Sequence, residues 1–254
     1  ARLPVPIMVP SAESFRGKRS VQELRDDGGM KALDKLLFDA EEKPIQGLLN
    51  VADIDTSKRV NAKRVVSGIP DLDRAIGGFV GGELSVWTGK RGEGKSTLLS
   101  QILLDAVNQN HAVCVYSGEL PKEQFKLALL QQAAGYLYTN RREDKYSGRI
   151  LFDVDPKVVP HINEWWDRRL FLTDIRRKNA HDEDSILKTF EYAHRRYGCD
   201  TFLVDNIMTA ELKDEAALGF NRAQSAFTGR LVAFAKRFDV HVHLVAHPRK
   251  TQGA

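Results

Sequence analysis

The 254-residue chain holds only two cysteines, Cys114 and Cys199. A disulfide-stapled secreted scaffold is therefore excluded, and neither residue has metal-ligand spacing. Both lie in apolar strand-like or pre-strand surroundings, as reduced core residues of an intracellular protein do. Long apolar runs are missing too. No stretch approaches membrane-spanning length and no secretory signal is visible, so no membrane partner is expected. The chain lacks an initiator methionine, and its ends, "ARLPVPIMVP" and "KTQGA", match neither a domain start nor a domain finish. It reads as an excised fragment. Repeats and low-complexity segments are absent. Neither sign of charge dominates: 38 Lys and Arg against 34 Asp and Glu give a formal +4, which permits a polyanionic partner without requiring one. What is present is 42% apolar residues, enough for one large domain with an appendage or for two small domains.

The most informative stretch is "LSVWTGKRGEGKSTLLSQILLDAV", Leu84 to Val107. Gly89-Lys90-Arg91-Gly92-Glu93-Gly94-Lys95-Ser96 satisfies G-x-x-x-x-G-K-[ST], the phosphate-binding loop. Glycines let the backbone wrap and aim its N–H groups inward. Lys95 then reaches the β- and γ-phosphates of ATP, Ser96 offers its hydroxyl to Mg²⁺, and Thr97 follows on the same turn. The flanks agree. Leu84–Trp87 reads as a buried strand, and Leu98, Leu99, Ile102, Leu103 and Ala106 fall at helical spacing.

Upstream, "PVPIMVP" resembles an edge strand, and "SVQELRDDGGMKALDKLLFDAEEKP" a helix whose apolar face uses Leu24, Met30, Leu33, Leu36 and Leu37, interrupted at Gly28-Gly29. "IQGLLNVADI" is a short apolar element presenting Ile45, Leu48, Leu49 and Val51, and a basic linker follows. A domain boundary is expected near residue 66, between an N-terminal segment (1–66) and a core (67–254). Within the core, "AVCVYSGE", "LFLTDI", "TFLVDN" and "VHVHLVAH" read as strands. "PKEQFKLALLQQAAGYL", "DSILKTFEYAHRRYG" and "FNRAQSAFTGRLVAFAKRF" read as helices, and the span up to Pro160 as a charged stretch. Strands alternating with helices predict an α/β fold with a mainly parallel sheet covered on both faces.

Ligands of such sheets sit beyond the carboxyl ends of the strands, so the residues at those ends are the candidates for chemistry. Glu119 ends "VCVYSGE"; its carboxylate either polarises a water for attack on ATP or serves the next helix as a first-turn acid, and spacing leaves both open. Asp205 after "TFLV" has the Walker-B arrangement of a Mg²⁺-holding carboxylate, the alternative being a turn-capping Asp. Asn206 is placed to orient a water. His241 and His243 alternate with apolar residues and suit sheet positions more than metal ligation. His247 ends the last strand before Pro248, where an imidazole can touch the γ-phosphate. Arg249 and Lys250 begin a basic loop, either solvated or tracking a nucleic-acid backbone. Trp165 and Trp166 more often dock a loop on a core than stack bases.

Taken together, "SGIPDLDRAIGGFVGGELSVWTGKRGEGKST", "YSGE", "TFLVDN" and "HLVAHPRK" resemble, in order and spacing, the RecA-fold replicative helicases. The likeness is to the DnaB class and most to its Twinkle and phage primase–helicase branch. It covers roughly residues 65 to 254. The N-terminal third resembles the tail of a Toprim primase-like domain joined to a helicase linker. The resemblance implies a RecA-like P-loop core with an N-terminal helical linker, working as a ring, expected to be hexameric, on single-stranded DNA at a replication fork. It implies that Lys95, Ser96 and Asp205 hold MgATP, that Glu119 is the base and His247 the γ-phosphate sensor, and that Arg249 and Lys250 open the DNA-facing loop. A primase or polymerase is an implied partner. The family's arginine finger lies beyond the sensor strand, past the end of this sequence. Bacterial or phage cytoplasm suits such a protein, and so does the mitochondrial matrix after loss of a transit peptide.

Two other readings compete. A RecA-type ATPase that does not translocate, of the RadA or KaiC kind, shares the "SGIPDLDRAIGG" lead-in and the P-loop. A nucleotide-gated module that recruits a polymerase or primase would hydrolyse ATP only incidentally.

Overall fold

The computed structural model describes residues 8–10, 15, 17–42, 49–60, 62–90, 92–213 and 219–247. The chain divides into two compact units, residues 1–60 and 61–254. In the first, β1 (Met8–Val9) precedes α1 (Val21–Phe38), and β2 (Glu41–Glu42) pairs antiparallel with β1. Ser20 caps α1 by accepting from the Glu23 N–H. Gly29, at φ +63°, leaves helical geometry and so breaks the phase of the apolar stripe expected from the sequence. Leu24 and Leu36 are buried, while Met30 and Leu37 are 64% and 71% exposed. A 3-10 turn at Val51–Asp53 and the short α2 (Ser57–Val60) follow. Leu49 and Val51 are exposed; Ile45 and Leu48 lie outside the described residues.

The second unit begins with β3 (Arg64–Val65), α3 (Pro70–Ile76) and β4 (Phe79–Val80), which pairs antiparallel with β3. Then come β5 (Leu84–Thr88), α4 (Lys95–Asn108), β6 (Val113–Ser117) and α5 (Lys122–Ala134). A hairpin of β7 (Thr139–Glu143) and β8 (Ile150–Val154) leads to α6 (Val159–Trp166) and β9 (Leu170–Leu172). The unit continues through α7 (Glu183–Tyr197), β10 (Thr201–Asp205), α8 (Phe220–Phe238) and β11 (His241–Ala246). Five strands form one parallel sheet in the order β5-β11-β10-β6-β9.

That order follows from where the helices bury their apolar stripes. Leu99, Ile102, Leu103 and Ala106 of α4, Phe125 and Leu129 of α5 and Ile162 and Trp166 of α6 pack on one face, with Val113, Val115, Leu203 and Val245 of the sheet. Ile186 and Phe190 of α7 and Phe227, Leu231 and Phe234 of α8 pack on the other, with Cys114, Tyr116, Phe202, Val242 and Leu244. Successive strand residues alternate between two dry faces, which is why the central strands read as continuous apolar runs. Each fully buried side chain of this size contributes about 1.5–3 kcal/mol. The predicted α/β sheet covered on both faces is the one found.

Details depart from expectation. β5 is an edge strand, paired among the described residues with β11, and Val86 is 55% exposed; it is not the buried strand that its composition suggests. On α4, Leu98 turns outward, while Leu104 and Val107 are buried. The charged stretch before Pro160 holds the β7–β8 hairpin, whose turn is closed by Asp144 accepting from the Ser147 hydroxyl and by Gly148 N–H bonding to the Asp144 carbonyl. Both tryptophans lie on α6, Trp166 buried and Trp165 half-buried against the core. Cys114 and Cys199 are free and buried, and burial pushes both thiols up, Cys199 to about 12. Among the described residues no helix is long and apolar enough to cross a membrane.

The strand histidines yield a pH prediction. His241 donates from Nδ1 to the Val80 carbonyl and accepts the Ser85 hydroxyl at Nε2. His243 accepts the Trp87 indole N–H at Nδ1, leaving a buried Nε2 without a partner among the described residues. The two rings lie 4.6 Å apart against Phe79, so burial, and for His243 also its neighbour, holds both pKa values below the usual 6.5. Groups depressed in the folded state bind fewer protons there than in the unfolded chain. Their stability is whole above pH 6.5 and is lost as pH falls below it. The unfolding free energy from urea titration should be flat from pH 8 to 7 and then fall, by up to about 1.4 kcal/mol per pH unit for each histidine, and the midpoint with it. His243→Leu should flatten the decline. A midpoint constant from pH 7.5 to 5.5 would contradict the burial argument.

Candidate functional site

In a parallel sheet all strands exit on one side. β5 and β6, consecutive strands joined by α4, are separated in the sheet by β11 and β10, so the chain leaves β5 in one direction and later strands fill the gap. Side chains from four strand ends and one helix start converge in the crevice this leaves.

The loop after β5 brings Gly89, Lys90, Gly92, Glu93 and Gly94 to the start of α4; Arg91 lies outside the described residues. Gly89 sits at φ +152°, and a Cβ there would meet Glu93 Oε2 at 2.7 Å, so only glycine fits. That carboxylate accepts the Lys90 backbone N–H at 2.7 Å and pins the turn. Lys95, first residue of α4, folds its ammonium into the loop, donating to the Gly89 and Lys90 carbonyls at 2.7 and 2.6 Å. Ser96 follows on the first turn of α4, near enough for its hydroxyl to favour the charged form of Asp205. The Thr97 carbonyl accepts from Gln132 of α5 at 2.9 Å.

Asp205 is the last residue of β10 and is buried. Burial raises its pKa, and the Glu119 charge adds to this; the Ser96 hydroxyl, His247 and Lys95 oppose it. Glu119 stands two residues past the end of β6, its side chain 44% exposed. His247, immediately after β11, places Nε2 3.8 Å from Glu119 Oε1, and its Nδ1 is buried without a partner among the described residues. Asn206 is fully buried and donates to Glu119 Oε1 at 2.5 Å. Arg249 and Lys250 lie outside the described residues.

Two features had no sequence signal. Gly118 bonds through its N–H to the Asp205 carbonyl at 2.8 Å, and a Cβ on it would meet the Thr209 hydroxyl at 1.9 Å. The exit of β6 is thus pressed against the 3-10 turn Ile207–Thr209 that follows β10. The second is the Asn206–Glu119 hydrogen bond itself. The alternation of "SGE" and "DN" hints at neither, since both depend on β6 lying beside β10.

Chemically, the arrangement offers a wrapped loop with an ammonium at its centre, a hydroxyl–carboxylate pair of hard oxygen donors, and a carboxylate beside an imidazole. Ser96 and Asp205 have the oxygen chemistry that Mg²⁺ accepts, binding through one or two protein ligands while phosphate oxygens and water fill the rest. A divalent cation there would also relieve the repulsion between the Asp205 and Glu119 carboxylates.

Comparison with known proteins agrees with this chemistry. The sequence model of a family described as an AAA domain matches residues 54–253. The chain is similar to the DNA repair protein RadA of Brucella abortus (strain 2308), 44% identical over 68 residues, which are 26% of this chain and 15% of that protein. It is also similar to the replicative DNA helicase DnaB of Helicobacter pylori (strain ATCC 700392 / 26695), 28% identical over 131 residues, 50% of this chain and 26% of that protein. The matched stretches thus cover about a quarter or less of either relative.

Proposed function

The chain belongs to this AAA domain family, and from that premise we propose that it is the motor domain of a replicative DNA helicase of the DnaB class. It is a RecA-like P-loop ATPase. The observation that carries the mechanism is the convergence of Lys95, Ser96, Glu119, Asp205 and His247 at adjacent strand ends. The loop around Gly89, Lys90, Arg91, Gly92, Glu93 and Gly94 cradles the phosphates of ATP, and β- and γ-phosphate oxygens replace the two carbonyls now bound to Lys95. Ser96 and Asp205 would hold Mg²⁺, whose charge would offset that of the transferring phosphoryl group. Glu119 takes the proton of the attacking water, and His247 reports whether the γ-phosphate is present. The similarity to DnaB spans half of this chain and supports a ring, expected to be hexameric, around single-stranded DNA. A fork, a primase or a polymerase as partner and a bacterial or phage cytoplasmic setting follow from that reading. So do the assignment of 67–254 as motor and 1–66 as a linker with a Toprim-like tail, of the Twinkle type.

A second reading has its own support. The RadA similarity is higher in identity, though over a shorter stretch, and supports the alternative of a RecA-type ATPase that does not translocate. The helicase reading puts DNA near the segment after His247. Arg249 and Lys250 would contact phosphates, so neutralising both in the full-length protein should weaken single-strand binding independently of base sequence. The salt slope should fall by about 0.7 per lost contact. Unchanged affinity and slope in an intact assembly would remove these two residues from the DNA path.

A further inference from the structure

Asn206 is a buried polar side chain at the site to which the mechanism above gives no role. Asn206 is fully buried between the exits of β10 and β6, and its amide uses both ends. Oδ1 accepts the Met208 backbone N–H at 2.8 Å, capping the 3-10 turn. Since that donor must face an oxygen, Nδ2 is fixed on the opposite side, where it donates to Glu119 Oε1 at 2.5 Å. The backbone around this contact is equally constrained. The Asn206 carbonyl accepts the Thr209 hydroxyl at 2.8 Å, and the same hydroxyl blocks any side chain on Gly118, the residue before Glu119. The Glu119 carboxylate is otherwise half-exposed, with His247 no nearer than 3.8 Å. Without the amide, it would be a solvated side chain free to sample several rotamers.

We propose that Asn206 is a positioning residue for the hydrolytic reaction: it holds one oxygen of Glu119 so that the other stays aimed at the attacking water. This rests on the reading of Glu119 as the base. It replaces the role expected from sequence, in which Asn206 itself orients the water. A base fixed by a charge-assisted hydrogen bond retains the effective concentration that a mobile one loses. The Lys95 ammonium and the loop around it make no contact with the amide, so ATP binding does not depend on Asn206.

The test separates the two ends of the amide. Asn206→Ser keeps a short oxygen that can cap the Met208 N–H but cannot reach Glu119. In the full-length protein, kcat for ATP hydrolysis should fall about 10- to 100-fold, with KM and the unfolding midpoint nearly unchanged. Placed on a Glu119→Gln background, the same substitution should change kcat by less than about 2-fold, because residues acting as one unit are not additive. Asn206→Asp provides a second arm if the Ser variant folds poorly. It keeps the capping oxygen but sets a carboxylate against Glu119, and should lower kcat at least as far. Unchanged or raised kcat in the folded Asn206 variants would overturn the proposal, as would a loss of equal size in both backgrounds. If Glu119→Gln alone hydrolyses ATP normally, the base reading fails first, and that outcome is visible before any Asn206 variant is made.

Discussion

A Glu119→Gln protein is expected to bind ATP with near-normal affinity and to hydrolyse it about 10²- to 10⁴-fold more slowly, the usual contribution of a positioned general base. The amide is isosteric with the carboxylate and keeps an oxygen to accept the Asn206 Nδ2 hydrogen, so the hydrogen bond at 2.5 Å survives. What it loses is the capacity to take a proton from water. Binding is spared because the groups facing the phosphates, the Lys95 ammonium and the loop backbone, are untouched. Lys95→Ala gives the contrasting result. That ammonium is the side-chain cation the loop folds into its own centre, between the Gly89 and Lys90 carbonyls, and its loss should remove tight ATP binding along with turnover. The two variants therefore separate on a nucleotide-binding titration even though both are inactive. Normal hydrolysis by Glu119→Gln would make Glu119 an acid that serves the start of α5 and no more.

How much of this was legible before folding depends on the range of the interaction. The phosphate loop is local: eight consecutive residues and the helix they open carry the whole signal, and Lys95 stands where the spacing puts it. The strands ending in Asp205 and Ala246 were legible because central parallel strands are apolar on both faces, which leaves long runs such as "TFLV" and "VHLVA". β5 misled for the same reason. "LSVW" is apolar, but its place at the sheet edge is a property of strand order, which no residue in it encodes. The β7–β8 hairpin was missed because "TNRRE" and "ILFDV" are exposed on both faces, so no alternation toward a core appears. On α1 the interruption expected at Gly28-Gly29 is the kink at Gly29, but its consequence, Met30 and Leu37 turned outward, depends on the kink's direction, which no residue type specifies. Asn206 and Glu119 are 87 residues apart. Their contact exists only because β6 and β10 pair in register, Asp205 opposite Ser117, and sequence spacing carries no register between strands.

The central claim is that this ATPase moves on single-stranded DNA. The most direct measurement is ATP turnover by the full-length protein with and without single-stranded DNA, followed on a forked duplex whose displaced strand is labelled. If His247 is the γ-phosphate sensor, as proposed, a motor in which it stands two residues from Arg249 should couple hydrolysis to the strand it holds. Turnover should rise about tenfold or more when DNA is added, as better alignment of the base and water permits. Strand displacement should require hydrolysable ATP and stop in Glu119→Gln. DNA-stimulated turnover with no displacement would favour the RadA-like reading. Turnover indifferent to DNA, in an assembly that binds ATP normally, would contradict the motor outright.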